Sequence, residues 1–165
     1  GEADDACATA QMGEHAAAEV ATDRMEHGAH ESEPLPDLPA AELSAATKDA
    51  EILLVACNTP ARMAKGAVEE LRRQGVKAGL FRPVTLWPFP VEALRPLVPK
   101  VQRIVVVEAS PGQLEDELRL ALDLADIPRP PIDHVRRYGG MLPQQTEIVA
   151  KVLSLSPAAC GEVNA

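Results

Sequence analysis

GVKAGLFRPVTLWPFP, residues 75–90, and IVVVEASPGQLEDELRLAL, residues 104–122, decide the fold of this chain. The first stretch predicts a buried strand that ends at Arg82 and breaks at Pro83, because proline cannot donate to a central β-ladder. The second predicts a strand buried on both faces that carries Glu108 into a turn at Gly112, where a helix begins. A strand that leads directly into a helix is typical of parallel α/β sheets.

The same alternation extends on both sides of these stretches. Short runs rich in β-branched residues predict strands at 51–57, 76–81, 103–108 and 132–136. Longer amphipathic runs predict helices at 60–74, 90–98, 111–125 and 144–155. Because such units connect through right-handed crossovers, we predict an α/β fold, a three-layer α/β/α sandwich around a mostly parallel sheet.

The charge divides the chain into parts. Residues 1–45 hold eleven of the 25 acidic residues and only one of the 16 basic residues, Arg24. This segment also contains prolines at 34, 36 and 39, and a loosely attached helix or disorder is expected over 3–27. We therefore assign an acidic leader and linker to 1–45, the α/β domain to 46–155 and a tail to 156–165. Since neither part has an excess of lysine and arginine, no nucleic acid partner is expected.

Length, cysteines and hydropathy limit the class of protein further. The 165 residues suffice for one globular domain. No apolar run approaches the roughly 20 residues that span a bilayer, so no membrane association is expected. Three cysteines without a Cys-x-x-Cys pair, at 7, 57 and 160, favour a reducing, cytoplasmic location and exclude an iron–sulfur cluster on this chain. Gly1 in place of methionine, with no signal sequence, suggests a fragment of a longer protein.

The candidate site lies where the predicted strands end, because ligands of open α/β sheets bind outside the carboxyl ends of the strands. Arg82 and Glu108 end two strands there, and each either pairs with the other or faces a partner surface. The helix N-terminus near Gly112 is able to hold a carboxylate or a phosphate, for example that of coenzyme A. Contact with a neighbouring domain and loops without a role are the alternatives. The candidate residues are Asn58, Thr59, Arg82, Glu108, Gly112, Gln113, Arg137 and Gly140.

Catalytic and metal sites are not predicted. The sequence lacks Gly-x-x-x-x-Gly-Lys and Gly-x-Gly-x-x-Gly, which bind nucleotide phosphates. Outside the leader the only histidine is His134, which we interpret as a packing residue in a strand, and Cys57 as a packed small residue. His15, His27 and His30 lie near acidic residues, but Gly28 makes a helical metal site there unfavourable.

Both opening stretches resemble the α subunit of the 2-oxoacid:ferredoxin oxidoreductases of the 2-oxoglutarate or 2-oxoisovalerate type. The resemblance extends over roughly residues 50–153 and includes VACNTPARMAK at 55–65, RYGG at 137–140 and Pro143. It concerns the C-terminal domain of that subunit, which is similar to the C-terminal domain of transketolase. Asn58 and Pro60 depart from the family pattern, in which small residues such as glycine and serine are common, and Tyr138 separates Arg137 from the glycines.

The resemblance implies an enzyme complex that decarboxylates a 2-oxoacid on thiamine diphosphate, oxidises it through iron–sulfur clusters and transfers the acyl group to coenzyme A. Because the Gly-Asp-Gly of the family's magnesium and thiamine diphosphate motif is absent, these cofactors are expected elsewhere in the complex. The implied partners are a β subunit that binds thiamine diphosphate, a γ subunit and a ferredoxin-like subunit. The domain itself would serve assembly and active-site positioning and be inactive alone.

Two alternatives remain from the sequence. One is the C-terminal domain of a transketolase or of a 2-oxoacid dehydrogenase E1 component, although LWPFP at 86–90 favours the ferredoxin type. The other is a stand-alone anion-binding module, which the proline-rich linker and the missing initiator methionine argue against.

Overall fold

The structure is a computed structural model that describes residues 39–155. It contains five strands, three α-helices and three short 3₁₀ turns. The strands are β1 Ala41–Leu43, β2 Ile52–Val55, β3 Ala78–Pro83, β4 Arg103–Glu108 and β5 Ile132–Arg136. The helices are α1 Asn58–Arg73, α2 Gln113–Leu124 and α3 Gln145–Leu155, and the turns are Ala45–Asp49, Val91–Ala93 and Val98–Lys100.

The five strands form one sheet in the order β1-β3-β2-β4-β5. All neighbours are parallel except β1, which pairs antiparallel with β3 at the edge. The inner strands β2 and β4 are buried on both faces, which is why they are apolar without polar alternation. Because β2 lies between β3 and β4, the charged residues that end these two strands are separated by a whole strand.

Helices cover both faces of the sheet. On one face α1 and α3 pack over one core, to which Leu54, Leu80 and Val105 contribute from the strands. On the other face α2 and the two later 3₁₀ turns pack over a second core that includes Phe81 and Val106. This arrangement confirms the predicted three-layer α/β/α sandwich with a mostly parallel sheet.

Two elements differ from the sequence prediction. β1 lies within residues 1–45, where no strand is predicted, because three residues that are mostly exposed give no apolar pattern. The helix predicted at 90–98 is absent from the described residues and is replaced by 3₁₀ turns. Pro96 and Pro99 have no N–H to donate to a preceding turn, and each disfavours helical backbone at the residue before it.

Several sequence predictions concern residues outside the described range. They are the leader helix at 3–27, the histidines at 15, 27 and 30, and the tail at 156–165, and the division into leader, domain and tail stays a prediction. Within residues 39–155, no helix has both the length and the apolar character needed to cross a membrane.

Candidate functional site

The carboxyl ends of the parallel strands border a pocket of about 400 Å³, which we call the rim pocket. It brings together four of the predicted site residues, Asn58, Thr59, Glu108 and Gln113. Leu86 from the loop after β3 and Leu142 from the loop before α3 complete one wall. The structure therefore places these four residues together at one edge of the sheet, and their role stays a prediction.

Glu108 lies at the buried bottom of the rim pocket, and its side chain is only 3% exposed. Its Oε2 accepts a hydrogen bond from the Ser110 hydroxyl at 2.5 Å and one from the backbone N–H of Leu114 at 2.9 Å. Leu114 is the second residue of α2, so the Glu108 carboxylate satisfies a free N–H at the start of that helix. An internal carboxylate thus takes the position at the helix N-terminus for which an external carboxylate or phosphate was one alternative.

Arg136, at the end of β5, lies between two buried carboxylates. Its Nε is 3.3 Å from Oε1 of Glu108, and its Nη2 donates to Oε2 of Glu115. Oε1 of Glu108 and Nε of Arg136 are both buried and make no hydrogen bond within the described residues, so charge alone joins these two atoms. We call Glu108, Glu115 and Arg136 the Arg136 cluster; it ties β4, α2 and β5 together.

Gly112 fits against the Arg136 cluster for a steric reason. A Cβ at this position would lie 3.1 Å from the guanidinium carbon of Arg136. Its φ of 135° is also outside the range that L side chains adopt readily. Glycine is required here because the arginine occupies the space beside the turn, which gives the predicted site residue a structural role.

Glu115 lies at the centre of a larger ionic network on α2. It accepts hydrogen bonds from Arg119 at 2.6 and 2.8 Å, and its Oε2 is 3.2 Å from Nδ1 of His134. Burial by itself raises the pKa of Glu115, but Arg119 and Arg136 outweigh it and hold this pKa below its ordinary value. His134 is half exposed on this network, whereas the sequence interpretation made it a packing residue.

The suggested pairing of Arg82 with Glu108 is wrong. Nη1 of Arg82 donates instead to Oε2 of Glu42 on β1, at 2.9 Å, and Glu108 faces Arg136 on β5. Because β2 separates β3 from β4, each charged strand end pairs outward with the next strand. Glu42 was missed because it lies on the unpredicted strand β1. Arg136 is a positive charge at the rim in the sequence too, but its pairing with Glu108 was not predicted.

The remaining predicted residues lie at the borders of the rim. Arg137 donates to Glu147 on α3, and its own backbone N–H donates to the Glu108 carbonyl at 3.1 Å. Gly140 has a φ of 83° in an open loop. Arg137 and Gly140 therefore shape the loop after β5 and do not line the rim pocket.

The start of α1 holds a residue with left-handed backbone, Asn58, and Cys57 directly before it carries a partly buried thiol. Asn58 has a φ of 52°, in the left-handed region that glycine and asparagine tolerate best. This backbone geometry explains why a small residue such as glycine suits the position. Cys57 lines the rim pocket half-buried, and burial followed by the Glu108 carboxylate raises the pKa of its thiol. A raised pKa keeps the thiol protonated and makes it a poor nucleophile.

The surface of the rim is apolar and bears no cation in its pocket. Leu86, Tyr138, Met141 and Leu142 are 41%, 69%, 62% and 38% exposed on the loops that follow β3 and β5. Among residues 39–155, the only charged ones that line the rim pocket are Glu108 and Glu117. A phosphate has no basic partner there, whereas an apolar protein surface has several large side chains to cover.

A separate basic pocket of about 350 Å³ lies between α1 and the β1–β3 edge. Arg62, Lys65 and Arg82 line it, together with Glu42. Within residues 39–155 only Arg82 of these three cations lies within 4 Å of a carboxylate.

The structure shows no candidate metal site in residues 39–155. No group of three or more His, Cys, Asp or Glu side chains in this range is placed to hold a metal ion.

The comparison with protein families gives one matching model, pyruvate:ferredoxin oxidoreductase core domain II, over residues 50–148. The ketoisovalerate oxidoreductase subunit VorB of Methanothermobacter marburgensis is 38% identical over 109 residues, which are 66% of this chain and 30% of the relative. The 2-oxoglutarate synthase subunit KorA of Methanocaldococcus jannaschii is 34% identical over 105 residues, 64% and 27% of the two chains. The chain thus spans less than a third of the length of these curated relatives.

Solved structures show the same fold. The 2-oxoglutarate:ferredoxin oxidoreductase from Magnetococcus marinus, with 2-oxoglutarate, coenzyme A and succinyl-CoA bound, has a TM-score of 0.61 at 22% identity, covering 72% of this chain and 20% of that one. A split gene transketolase in an inactive beta4 tetramer has a TM-score of 0.55 at 20% identity, covering 63% and 37%. At these identities the likeness concerns the fold, and it confirms the transketolase-like architecture.

Proposed function

This chain belongs to the family of the pyruvate:ferredoxin oxidoreductase core domain II, and from that membership we propose that it is the C-terminal, transketolase-like domain of a 2-oxoacid:ferredoxin oxidoreductase α subunit. The matched residues 50–148 run from two residues before β2 into α3 and include every described strand except β1. Relatives above 30% identity are 2-oxoacid oxidoreductase subunits, whereas the transketolase shares the fold at 20%. This difference favours the oxidoreductase over the transketolase alternative.

The proposed enzyme converts a 2-oxoacid and coenzyme A to an acyl-CoA with reduction of ferredoxin. Thiamine diphosphate, with magnesium, supplies the decarboxylation chemistry, and we place these cofactors and the iron–sulfur clusters on the β, γ and ferredoxin-like subunits. The sequence supports this placement because the Gly-Asp-Gly of the cofactor motif is missing from this chain. The cysteine pattern supports a cytoplasmic location for the complex.

Within that complex the domain positions its neighbours and does not react with the substrate. One observation carries this proposal: the charged strand ends of the rim are all engaged internally, while large apolar side chains on the rim loops are exposed. Arg82 is paired with Glu42, and Glu108 with Arg136 and the start of α2. Exposed apolar side chains grouped in one region mark a surface that another protein surface covers.

The test is purification of the native, full-length protein from its own cells, with identification of co-purifying subunits. We expect a thiamine diphosphate-binding chain and an iron–sulfur chain, and coenzyme A-dependent reduction of viologen with at least one 2-oxoacid.

In the purified complex, Met141→Asp is expected to weaken assembly, since it places a charge on the rim. Gln74→Asp is the matched control, because Gln74 is exposed directly after α1, at the opposite end of the strands from the rim loops. A lone protein without 2-oxoacid activity would overturn the proposal.

The basic pocket supports a second candidate function, anion binding. Arg62, Lys65 and Arg82 converge there, and charge-assisted hydrogen bonds from such groups suit a phosphate of coenzyme A. Calorimetry of the full complex with coenzyme A tests this. If the pocket binds it, Lys65→Ala weakens binding about tenfold or more, as the loss of one charged hydrogen bond predicts. Unchanged affinity in Lys65→Ala and Arg62→Ala would assign coenzyme A to another part of the enzyme.

A further inference from the structure

The loop between β3 and the second 3₁₀ turn exposes Trp87 next to a buried phenylalanine. Phe89 is only 9% exposed, and its ring centroid lies 6.3 Å from that of Phe81 in the core. The Thr85 hydroxyl donates to the Pro88 carbonyl at 3.2 Å and closes the loop. Trp87, between these anchors, is 78% exposed. The loop is therefore anchored in the core by Phe89, while the neighbouring Trp87 side chain is exposed to solvent.

Trp87 forms one side of a groove along α2. This α2 groove, defined by Trp87, Phe89, Glu117, Leu120 and Leu124, encloses about 350 Å³. Leu120 is 47% exposed and Leu124 is 76% exposed. Single exposed apolar residues are ordinary, but here three large ones converge on one cavity, which is typical of a contact surface.

The α2 groove continues into the rim pocket, because Glu117 lines both. The two cavities therefore form a continuous surface from the strand ends along α2. This continuity connects the groove to the face for which a neighbouring domain is proposed above, and the inference below rests on that proposed function.

Charge specifies what fits the groove. Glu92, at the groove wall, is already paired with Arg95 through two hydrogen bonds of 2.8 Å. Glu117 is half-buried, and within residues 39–155 no basic side chain lies within 4 Å of it. Covering Glu117 with an apolar surface alone would bury a carboxylate without a partner, which is unfavourable. The complementary surface is therefore apolar and has one cation opposite Glu117.

We infer that the α2 groove is covered by a segment of the same subunit polypeptide outside this domain, with an apolar face and a Lys or Arg that pairs with Glu117. The relatives favour an intrachain segment, because the matched region makes up only 30% and 27% of their polypeptides. A tethered segment acts at a high effective concentration, so a groove of this modest size is enough to hold it.

Cysteine accessibility in the full-length subunit tests the inference. Leu120→Cys and Leu124→Cys are suitable reporters because both positions are exposed in the described domain, so the substitutions leave the cores unchanged. Glu69→Cys is the control, on the exposed face of α1 on the opposite side of the sheet. Maleimide labelling is followed by peptide mass spectrometry in the isolated subunit at low concentration and in the assembled complex.

We expect labelling at 120 and 124 to be about tenfold slower or more than at 69 already in the isolated subunit, equal to at least about 1.4 kcal/mol for opening the contact. Protection that appears only in the complex would assign the groove to another subunit and overturn the inference. Protection that depends on subunit concentration would assign it to a second copy, with the same consequence. Equal labelling at all three positions would show that nothing covers the groove.

The Glu117 contact is tested by charge. Glu117→Arg in the Leu120→Cys background is expected to restore labelling toward the rate at 69, whereas Glu117→Gln has a smaller effect because it adds no repulsion. Glu69→Arg is the matched control and leaves labelling at 120 unchanged. If Glu117→Arg leaves the protection intact, the cation opposite Glu117 is refuted. The wild-type complex is also assayed for 2-oxoacid-dependent viologen reduction. This activity tests the proposed function, whereas the labelling rates test the inference about the groove, so the two failures are distinguished.

Discussion

Replacement of Arg136 by methionine is expected to lower the free energy of unfolding of this chain by about 3 kcal/mol. The side chains of Glu108 and Glu115 are only 3% and 7% exposed, and the substitution removes the cation between them. Loss of one partner from a buried ion pair costs about 3–5 kcal/mol. The lower end applies because Glu115 keeps Arg119 and Glu108 keeps its hydrogen bonds at the start of α2.

Urea unfolding followed by circular dichroism measures the effect. With a urea slope of about 1–3 kcal/mol/M, the midpoint should fall by roughly 1–3 M at neutral pH. Arg95→Met is the control, because its pair with Glu92 is exposed at 50% and 71% and exposed pairs contribute at most about 1 kcal/mol. If Arg136→Met costs no more than Arg95→Met, the Arg136 cluster does not stabilise the fold as argued.

The pH dependence separates charge from packing. Arg119 and Arg136 outweigh burial and hold the pKa of Glu115 below its ordinary value, so its contribution is present above the unfolded pKa of about 4.3 and is lost as the pH falls through the lower folded pKa. Without Arg136 the folded pKa of Glu115 rises toward the unfolded value, so the contribution of Glu115 is smaller and its loss is complete at a higher pH. The difference between wild type and Arg136→Met should therefore shrink below about pH 4. A difference that stays constant in acid would indicate a packing effect alone.

Three further predictions concern the turns of the rim. Gly112→Ala is expected to cost about 1–3 kcal/mol in urea unfolding, more than Gly75→Ala, whose Cβ would meet no atom within 4 Å; equal costs would refute the steric argument. Asn58→Ala should lower the free energy of unfolding by about 1 kcal/mol, whereas Asn58→Gly should change it little, because φ is 52°; equal losses would argue against backbone strain. Cys57 should react with iodoacetamide more slowly than a free thiol near neutral pH, since burial and then the Glu108 carboxylate raise its pKa, and Glu108→Gln should accelerate the reaction; an unchanged rate would contradict the charge effect.

The inner part of the fold is predictable from sequence because its signals are local. Residues 103–108 and 132–136 form strands with the predicted bounds, and α1 and α2 lie within two residues of their predicted starts. In β4, the run Ile104–Val107 is fully buried, so its apolar composition reports its position directly. The edge strand β1 has no such signal. It forms by pairing with β3, and its own three residues are mostly exposed.

The positions of four of the eight predicted site residues follow from the sequence, but the partners of the charged ones do not. Strand ends predict that Asn58, Thr59, Glu108 and Gln113 meet, because carboxyl ends of parallel strands share one edge. Strand order decides which charges pair, and nothing in the residues of β3 or β4 reveals that β2 lies between them. Glu115 was missed for a related reason. A glutamate next to Leu114 on an amphipathic helix gives no indication that an arginine from another strand lies opposite it.

The internal pairing of the rim charges agrees with the proposed role of this domain, which positions its neighbours and supplies no predicted catalytic residue. A strand-end carboxylate that remains free is able to bind or react, but Glu108 is bound by Ser110, by the start of α2 and by Arg136. These contacts fix the position of the Glu108 side chain, which suits the proposed role of holding a neighbouring active site in place. Among the described residues, those that remain for outside contact on the rim pocket and the α2 groove are mainly apolar, joined by the Glu117 carboxylate and the polar side chains of Asn58, Thr59 and Gln113. The chemistry of this surface is therefore that of protein–protein recognition, in which apolar area provides affinity and one charge provides register.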